Sequence, residues 1–162
     1  MRLWRLFDHQ TPWAKAEGFD PLDGSGGLFA ASRWNLQGTR MVYLASSPSL
    51  CVLETLAHVN PTEFGERKLL ELDLPETSIE DVSASLFMQL LRDATKGELE
   101  QTTREYGSRW AKEKRSLLLR VPSIVVPLEK NFLLNPLHNL SGAVRVVNED
   151  IIRLDRRINL EG

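Results

Sequence analysis

The sequence predicts an α+β domain built around a mixed β-sheet. Short apolar runs with strand-like alternation occur near both ends of the chain, and helical stretches lie between them without a regular strand–helix–strand rhythm. At 162 residues, with no internal repeat and no low-complexity linker, we expect one domain over residues 1–162.

The first half of the chain contains two strands and a helix. Residues 2–7 (RLWRLF) alternate and predict a strand, whereas residues 17–32 are rich in Gly and Asp and predict a loop. Residues 39–45 (TRMVYLA) are apolar on both faces, which predicts a strand in the centre of a sheet. Ser47 before Pro48 predicts a capped helix start, and this helix is expected to run to about Val59, where Asn60-Pro61 ends it.

The second half alternates between strand and helix patterns. Residues 68–75 (KLLELDLP) place Leu70, Leu72 and Leu74 on one face of a strand that ends at Pro75. The remaining predicted elements are helices near 83–93 and 97–114, strand-like segments within 116–126 interrupted by Pro122-Ser123, and strands within 144–154.

Composition argues against several functional classes. Apolar residues make up 42% of the chain and charged residues 26%, and the formal net charge is -2 with scattered Lys and Arg, so no basic stripe for nucleic acid is evident. The single Cys51 cannot form an intramolecular disulfide and fits a reducing compartment. No apolar run approaches the roughly 18 residues of a membrane-spanning helix. We therefore expect a cytoplasmic protein that binds neither membrane nor nucleic acid directly.

Glu54 is the residue that fits the apolar pattern least. It lies in VLETLAH, and apolar residues surround most of the predicted helix, which indicates a buried helix. A buried carboxylate either reaches a pocket or needs a cation or a hydrogen-bond donor, because an unpaired buried charge is very costly. The sequence leaves a functional site and a structural salt bridge equally open.

Arg33 and Tyr43 precede Glu54 and have structural explanations of their own. Arg33 could cap a helix C-terminus or pair with an acid such as Asp23, and Tyr43 could be a core residue with its hydroxyl satisfied at the rim. Together the three residues suggest more: a phosphate clamp, an aromatic stacking surface and an anion facing developing positive charge. Cleavage of an N-glycosidic bond in a dinucleotide requires these three groups.

The same residues carry a resemblance to a known family. SRWN (32–35), MVYLA (41–45), LETLAH (53–58) and the VPS…P…NxxxNP order within 106–138 resemble the RES domain toxins of bacterial toxin–antitoxin pairs over nearly the whole chain. Ser32 departs from the pattern, since Gly often precedes the arginine in such proteins.

The resemblance implies a fold similar to ADP-ribosyltransferases and NAD+ as substrate, with no further cofactor and no metal. It implies a toxin that depletes cellular NAD by hydrolysis or phosphorolysis, and a cognate Xre-type helix-turn-helix antitoxin as partner. A protein ADP-ribosyltransferase that uses the same pocket and a non-enzymatic partner-binding module remain alternatives. The acceptor of the ADP-ribosyl group, the oligomeric state and the stoichiometry with the antitoxin stay open.

The resemblance also assigns roles to single residues. It implies that Arg33 holds pyrophosphate or ribose-phosphate oxygens, that Tyr43 stacks against nicotinamide, and that Glu54 holds the ribose 2′-hydroxyl and stabilises an oxocarbenium-like state. Ser123 would orient Glu54 or a ribose hydroxyl, although a polar residue at a strand break explains it as well. Arg5 is a further substrate-binding candidate, with a structural ion pair as the alternative.

The other polar residues are expected to be structural. Asn131 and Asn135 are interpreted as turn residues that bond the backbone, and His58 as a surface or hydrogen-bonded residue. The histidines His9, His58 and His138 lack metal-ligand spacing, Cys51 is expected to pack as an apolar residue, and Gly24, Gly26 and Gly27 lack the flanking strand and helix of a dinucleotide fingerprint.

Overall fold

The fold is a mixed β-sheet flanked by helices, as seen in a computed structural model that describes residues 1–92 and 98–158. Its strands are β1 (Arg2–Phe7), β2 (Val42–Ala45), β3 (Glu66–Asp73), β4 (Ile79–Asp81), β5 (Leu118–Pro122), β6 (Lys130–Leu134) and β7 (Arg145–Arg153). Its helices are α1 (Gly26–Phe29), α2 (Pro48–Leu56), α3 (Ala84–Arg92) and α4 (Glu98–Glu113), with short 3-10 turns at Pro61–Glu63, Ser141–Ala143 and Arg156–Ile158.

The seven strands of the described chain form one sheet in the order β4-β5-β6-β2-β1-β3-β7. The β4–β5 pair is parallel and the other pairs are antiparallel, so the predicted α+β class with a mixed sheet is confirmed. Strand β2 lies in the middle, between β6 and β1, which confirms the central position inferred from its apolar faces.

Residues 116–126 depart from the prediction of two strand-like segments. Strand β5 ends at Pro122, and residues 123–129 form the turn of a hairpin that returns along β6. Ser123 explains the break, because its hydroxyl accepts a hydrogen bond from Val126 N at 2.9 Å and its own N–H binds Glu129 O at 3.2 Å. Strand β6 itself was not predicted, and it carries Asn131.

Helix α2 begins as predicted but is not a buried helix. Ser47 caps it by accepting a hydrogen bond from Leu50 N at 3.1 Å, and Pro48 occupies its first turn. The helix ends at Leu56 rather than near Val59, and its buried residues are Leu50 and Cys51, whereas Leu53 is 42% exposed. The prediction that apolar residues all round the helix mean full burial is therefore wrong. One face packs on the sheet and the other meets solvent.

The two faces of the sheet have separate apolar cores. One face carries a large cluster in which Leu3 and Phe7 of β1 pack with Val42 and Leu44 of β2. The opposite face carries two smaller clusters: one lies under α4, around Trp110 and Leu133, and the other lies under α2, around Leu50 and Cys51. The candidate site lies on this second face.

Candidate active site

A cavity of about 450 Å³ opens on the sheet face that α2 and α4 cover. Its volume falls in the range of small-molecule sites, about 300–1,000 Å³. Strand register explains its floor. Leu133 pairs with Tyr43, and Asn131 pairs with both Ala45 and Val121, so these side chains share one face and all of them line the cavity.

Glu54 enters this cavity from α2 and is held by two neutral donors. Ser123 Oγ donates to Glu54 Oε1 at 2.7 Å, and Asn131 Nδ2 donates to the same oxygen at 2.5 Å. Within residues 1–92 and 98–158, no lysine, arginine or histidine forms an ion pair with Glu54. Of the two explanations left open by the sequence, a structural salt bridge does not match the geometry, whereas a pocket with donors does.

The second carboxylate oxygen of Glu54 remains available. Both donors converge on Oε1, and Oε2 has no hydrogen-bond partner in the part of the chain that the structure describes. A carboxylate fixed through one oxygen can offer the other to a ligand hydroxyl without reorienting, which is the arrangement that preorganised electrostatic stabilisation requires. Ser123, which is only 2% exposed, is itself fixed by its bond to Val126 N.

Tyr43 presents its ring to the cavity while its hydroxyl is bound elsewhere. The hydroxyl accepts a hydrogen bond from Trp34 N at 3.1 Å and donates to Asn35 Oδ1 at 2.8 Å. Burial raises the pKa of the phenol, partly offset by the Trp34 hydrogen bond, so Tyr43 stays neutral at physiological pH. With its proton committed to Asn35, Tyr43 is suited to packing against a ligand rather than to acid–base chemistry.

Arg33 lines the same cavity on a segment that α4 holds in place. Thr103 Oγ1 of α4 donates to Arg33 O at 2.5 Å, and a Cβ at Gly107 would lie 2.0 Å from Trp34 O, so the helix and this segment pack in direct contact. The suggested pairing of Arg33 with Asp23 is wrong, because Asp23 binds Arg40 at 3.2 Å instead. The Arg33 guanidinium forms no hydrogen bond or ion pair within the described residues, so its charge is available to an anion.

Comparison with known proteins identifies the family. The RES domain model matches residues 2–157. This chain belongs to the RES domain family. It is 35% identical over 137 residues to the "Prs ADP-ribosylating toxin" of Sphingobium sp. (strain YBL2), covering 84% of this chain and 83% of that protein. It is 33% identical over 153 residues to "Toxin Res" of Pseudomonas putida, covering 93% of this chain and 94% of that protein.

A solved structure shares the fold of this RES domain. The M. tuberculosis MbcT-MbcA toxin-antitoxin complex contains a chain that matches with a TM-score of 0.69 and 14% identity, over 94% of this chain and 84% of that one. The resemblance to the RES family that the sequence motifs indicated is thereby confirmed at the level of family and fold.

Arg5 does not join the other predicted site residues of the RES domain. Trp4 pairs with Ala45, so Arg5 shares its strand face with Leu3 and Phe7, whereas Leu6 faces the cavity of Glu54. Arg5 instead lines a second, smaller cavity. Arg33, Tyr43 and Glu54 line one cavity, with Ser123 bonded to Glu54, whereas Arg5 lies on the opposite face of β1 and reaches only the backbone oxygen of Tyr43, through Nη1 at 3.4 Å.

One cavity residue, Asn131, has a role that differs from its interpretation in the sequence. Asn131 does not tie off a turn but binds Glu54, so that interpretation is wrong; Asn135 does bond backbone groups, at Ala111 O and Leu137 N. His58 lies one helical turn after Glu54 and lines the cavity from its exposed rim. Asn131 and Leu133 are two residues apart, so in a strand they share one face, and this spacing was the signal in the sequence that could have placed Asn131 in the cavity.

Cys51 lines the wall of the cavity as an unreactive thiol. Its Sγ–H donates to Trp4 O at 3.3 Å, and burial raises its pKa to about 12. The thiolate form is therefore negligible at neutral pH, and Cys51 is no nucleophile. This agrees with the packing role expected from the sequence.

Residues 1–92 and 98–158 contain no group of three or more His, Cys, Asp or Glu side chains placed to hold a metal ion. The same part of the chain has no helix whose length and apolarity would let it cross a bilayer.

Packing explains two of the glycines in the 24–27 segment. A Cβ at Gly27 would lie 2.0 Å from Thr39 O, and one at Gly24 would lie 2.7 Å from Met41 N.

Proposed function

We propose that this RES domain is a toxin of a bacterial toxin–antitoxin pair that cleaves NAD+ at the bond between nicotinamide and ribose. The observation that carries the proposal is the Glu54 carboxylate, fixed through Oε1 by Ser123 and Asn131 in a cavity that also holds Arg33 and Tyr43. The names of two relatives, "Toxin Res" and "Prs ADP-ribosylating toxin", support it.

The proposed chemistry separates charge at one glycosidic bond. The C1′–N1 bond breaks, its electron pair leaves with the pyridinium nitrogen to give neutral nicotinamide, and the ribose carries oxocarbenium-like positive charge. Glu54 Oε2 accepts the hydrogen bond of a ribose hydroxyl and faces this developing charge, while the ring of Tyr43 packs against nicotinamide and Arg33 holds a phosphate oxygen. An acceptor then bonds to C1′ and loses a proton; water, phosphate and a protein side chain are the candidates.

A second candidate function is transfer of ADP-ribose to a protein. The favouring observation is an exposed apolar rim formed by the hairpin turn at the mouth of the cavity: Ile124 and Val125 line it, and Leu128 is 95% exposed. Exposed apolar side chains beside a polar cavity are typical of a surface that meets another protein. The same rim suits an inhibitory antitoxin, which we propose as the partner, of the Xre type.

The test is product identification with purified protein. We expect wild-type protein to release nicotinamide from NAD+ and to yield ADP-ribose in water or its 1-phosphate when phosphate is added. Glu54→Gln should lower release at least about a hundredfold, and Glu63→Gln, at an exposed position outside the cavity, serves as the matched control. No nicotinamide release with or without candidate protein acceptors would contradict the proposal and favour a non-enzymatic binding module. Labelling of a protein acceptor would identify the transferase.

Toxicity is tested in cells by the same variants. Expression of the wild type should arrest growth, Glu54→Gln should not, and co-expression of the neighbouring antitoxin should restore growth and give a stable complex. Equal arrest with and without that antitoxin would argue against the proposed partner.

A further inference from the structure

A second cavity, of about 220 Å³, adjoins the cavity of Glu54. Ser32 and Tyr43 line both, so the two cavities share a wall. The second cavity is built from the Asp20–Gly27 loop, the aromatic residues Trp13 and Phe19, and the guanidinium of Arg5. None of the proposed steps at the glycosidic bond uses it.

Arg5 supplies hydrogen-bond donors that the protein leaves unused. Its Nε is buried and has no acceptor among the described residues, and Nη1 makes one long bond of 3.4 Å to Tyr43 O. Burial lowers the pKa of Arg5 to about 10, while Asp23 and Asp20 raise it, so the group keeps its charge at neutral pH. Buried N–H donors normally have acceptors, and a ligand can provide them.

Two carboxylates make this cavity a poor phosphate site. Asp20 and Asp23 line it together with Arg5. Asp23 is occupied by Ser25 N at 2.8 Å and by Arg40, whereas Asp20 accepts one bond, from Leu22 N at 2.8 Å, and is exposed. An anion beside Arg5 would meet repulsion from both acids. The donors of Arg5 and the acceptor oxygens of Asp20 instead match a neutral ligand with acceptors and an N–H donor on its edge.

The walls of the cavity fit a flat ligand. Trp13 is 52% exposed and meets Phe19 edge to face, with ring centroids 5.0 Å apart. Gly26, at the start of α1, has no side chain and open space beside its Cα, so a planar ring can lie close to the backbone there. Aromatic side chains bind nucleobases by stacking, and the stacking depends little on which base is bound.

We infer that the second cavity binds the adenine end of the dinucleotide, stacked on Trp13, with ring nitrogens accepting from Arg5 and the amino group donating to Asp20. This inference rests on the proposed function, because it takes NAD+ as the ligand of the neighbouring cavity. Because Ser32 and Tyr43 line both cavities, a dinucleotide that occupies the two would cross at these residues, with its phosphates towards Arg33.

The test compares two substrates that share the scissile bond. Nicotinamide mononucleotide carries the same glycosidic bond as NAD+ but has no adenine. Trp13→Ala should lower kcat/KM for NAD+ about tenfold, the scale of one stacked base, and leave kcat/KM for the mononucleotide unchanged. Phe29→Ala, at a site 79% exposed and outside both cavities, is the matched control and should affect neither substrate. An equal effect of Trp13→Ala on both substrates, or an effect on neither, would overturn the inference.

A binding measurement separates this inference from the proposed function. Adenosine should bind the wild-type protein in a calorimetric titration, and Trp13→Ala and Arg5→Met should weaken its binding about tenfold. Circular dichroism melting establishes that each variant is folded. If the wild type cleaves neither substrate yet binds adenosine through Trp13, the proposed function fails and the nucleobase site stands. If it cleaves NAD+ but does not bind adenosine, the nucleobase site fails and the proposed function stands.

Discussion

Asn131 Nδ2 lies 2.5 Å from Glu54 Oε1 and brings together two elements that are distant in sequence, strand β6 and helix α2. Ser123 Oγ reaches the same oxygen from the other end of the hairpin turn. The β5–β6 hairpin therefore positions the carboxylate from its turn, through Ser123, and from β6, through Asn131. Glu129 of the same turn accepts hydrogen bonds from Ser46 and Ser47 Oγ, which fixes the hairpin against the start of α2.

The first prediction concerns Asn131. Asn131→Asp replaces a donor with a second carboxylate beside Glu54, so the pair should share a proton and titrate together. We expect kcat for nicotinamide release to fall about a hundredfold, with a change in the shape of its pH profile. The measurement is kcat and KM across pH.

The exposed Asn139 provides a matched control for that change. Asn139→Asp adds the same charge outside the cavity and should keep the wild-type profile. A wild-type pH profile for Asn131→Asp would show that this amide does not position Glu54.

The contrast between Ser123 and Asn131 shows what the sequence could predict about this site. Ser123 was identified by family resemblance, and a break after Pro122 was visible in the sequence itself. Asn131 was missed because Phe132–Leu134 is too short an apolar run to indicate a strand beside Asn135-Pro136. Its role depends on register with Ala45, which is a tertiary property.

Arg5 illustrates a second limit. Alternation along RLWRLF shows that Arg5 shares a face with Leu3 and Phe7. It does not show which face α2 covers, because the pairing of Trp4 with Ala45 decides that. By contrast, the cap of α2 at Ser47 and the central position of β2 depend on local chemistry and local apolarity, and both were predicted correctly.

The second prediction concerns Ser123. Its hydroxyl makes two bonds, to Glu54 Oε1 and from Val126 N, so Ser123→Ala should lower both activity and stability. Loss of these bonds at a buried site should reduce the free energy of unfolding by about 1–3 kcal/mol. Urea unfolding and nicotinamide release measured on one preparation test this. A variant with lowered stability but full activity would assign Ser123 to the turn alone.

The third prediction concerns Cys51. Because burial raises its pKa to about 12, the thiol should react far more slowly with iodoacetamide at pH 8 in the native protein than in urea. The folded state also holds this proton more tightly than the unfolded state. The resulting stability is complete below pH 9 and is lost as the pH rises from about 9 to about 12.

Cys51→Ala isolates that contribution. The difference in unfolding free energy between wild type and Cys51→Ala should shrink with rising pH over this window, as followed by urea unfolding. Rapid alkylation of the native thiol at pH 8 would contradict the buried, protonated state.

The last prediction concerns Glu54. Glu54→Gln keeps the length of the side chain, and its amide oxygen can still accept from Ser123 and Asn131, so the fold should survive. The partners of the carboxylate are neutral, so the change strands no buried cation, and the melting temperature should stay close to wild type. Nicotinamide release should fall at least about a hundredfold, because the developing positive charge on ribose loses the anion that faces it. Melting temperature and turnover are measured together, with Glu63→Gln as control. A folded, fully active Glu54→Gln protein would falsify the catalytic assignment, whereas a collapsed melting temperature would show that the charge of Glu54 is needed for the fold.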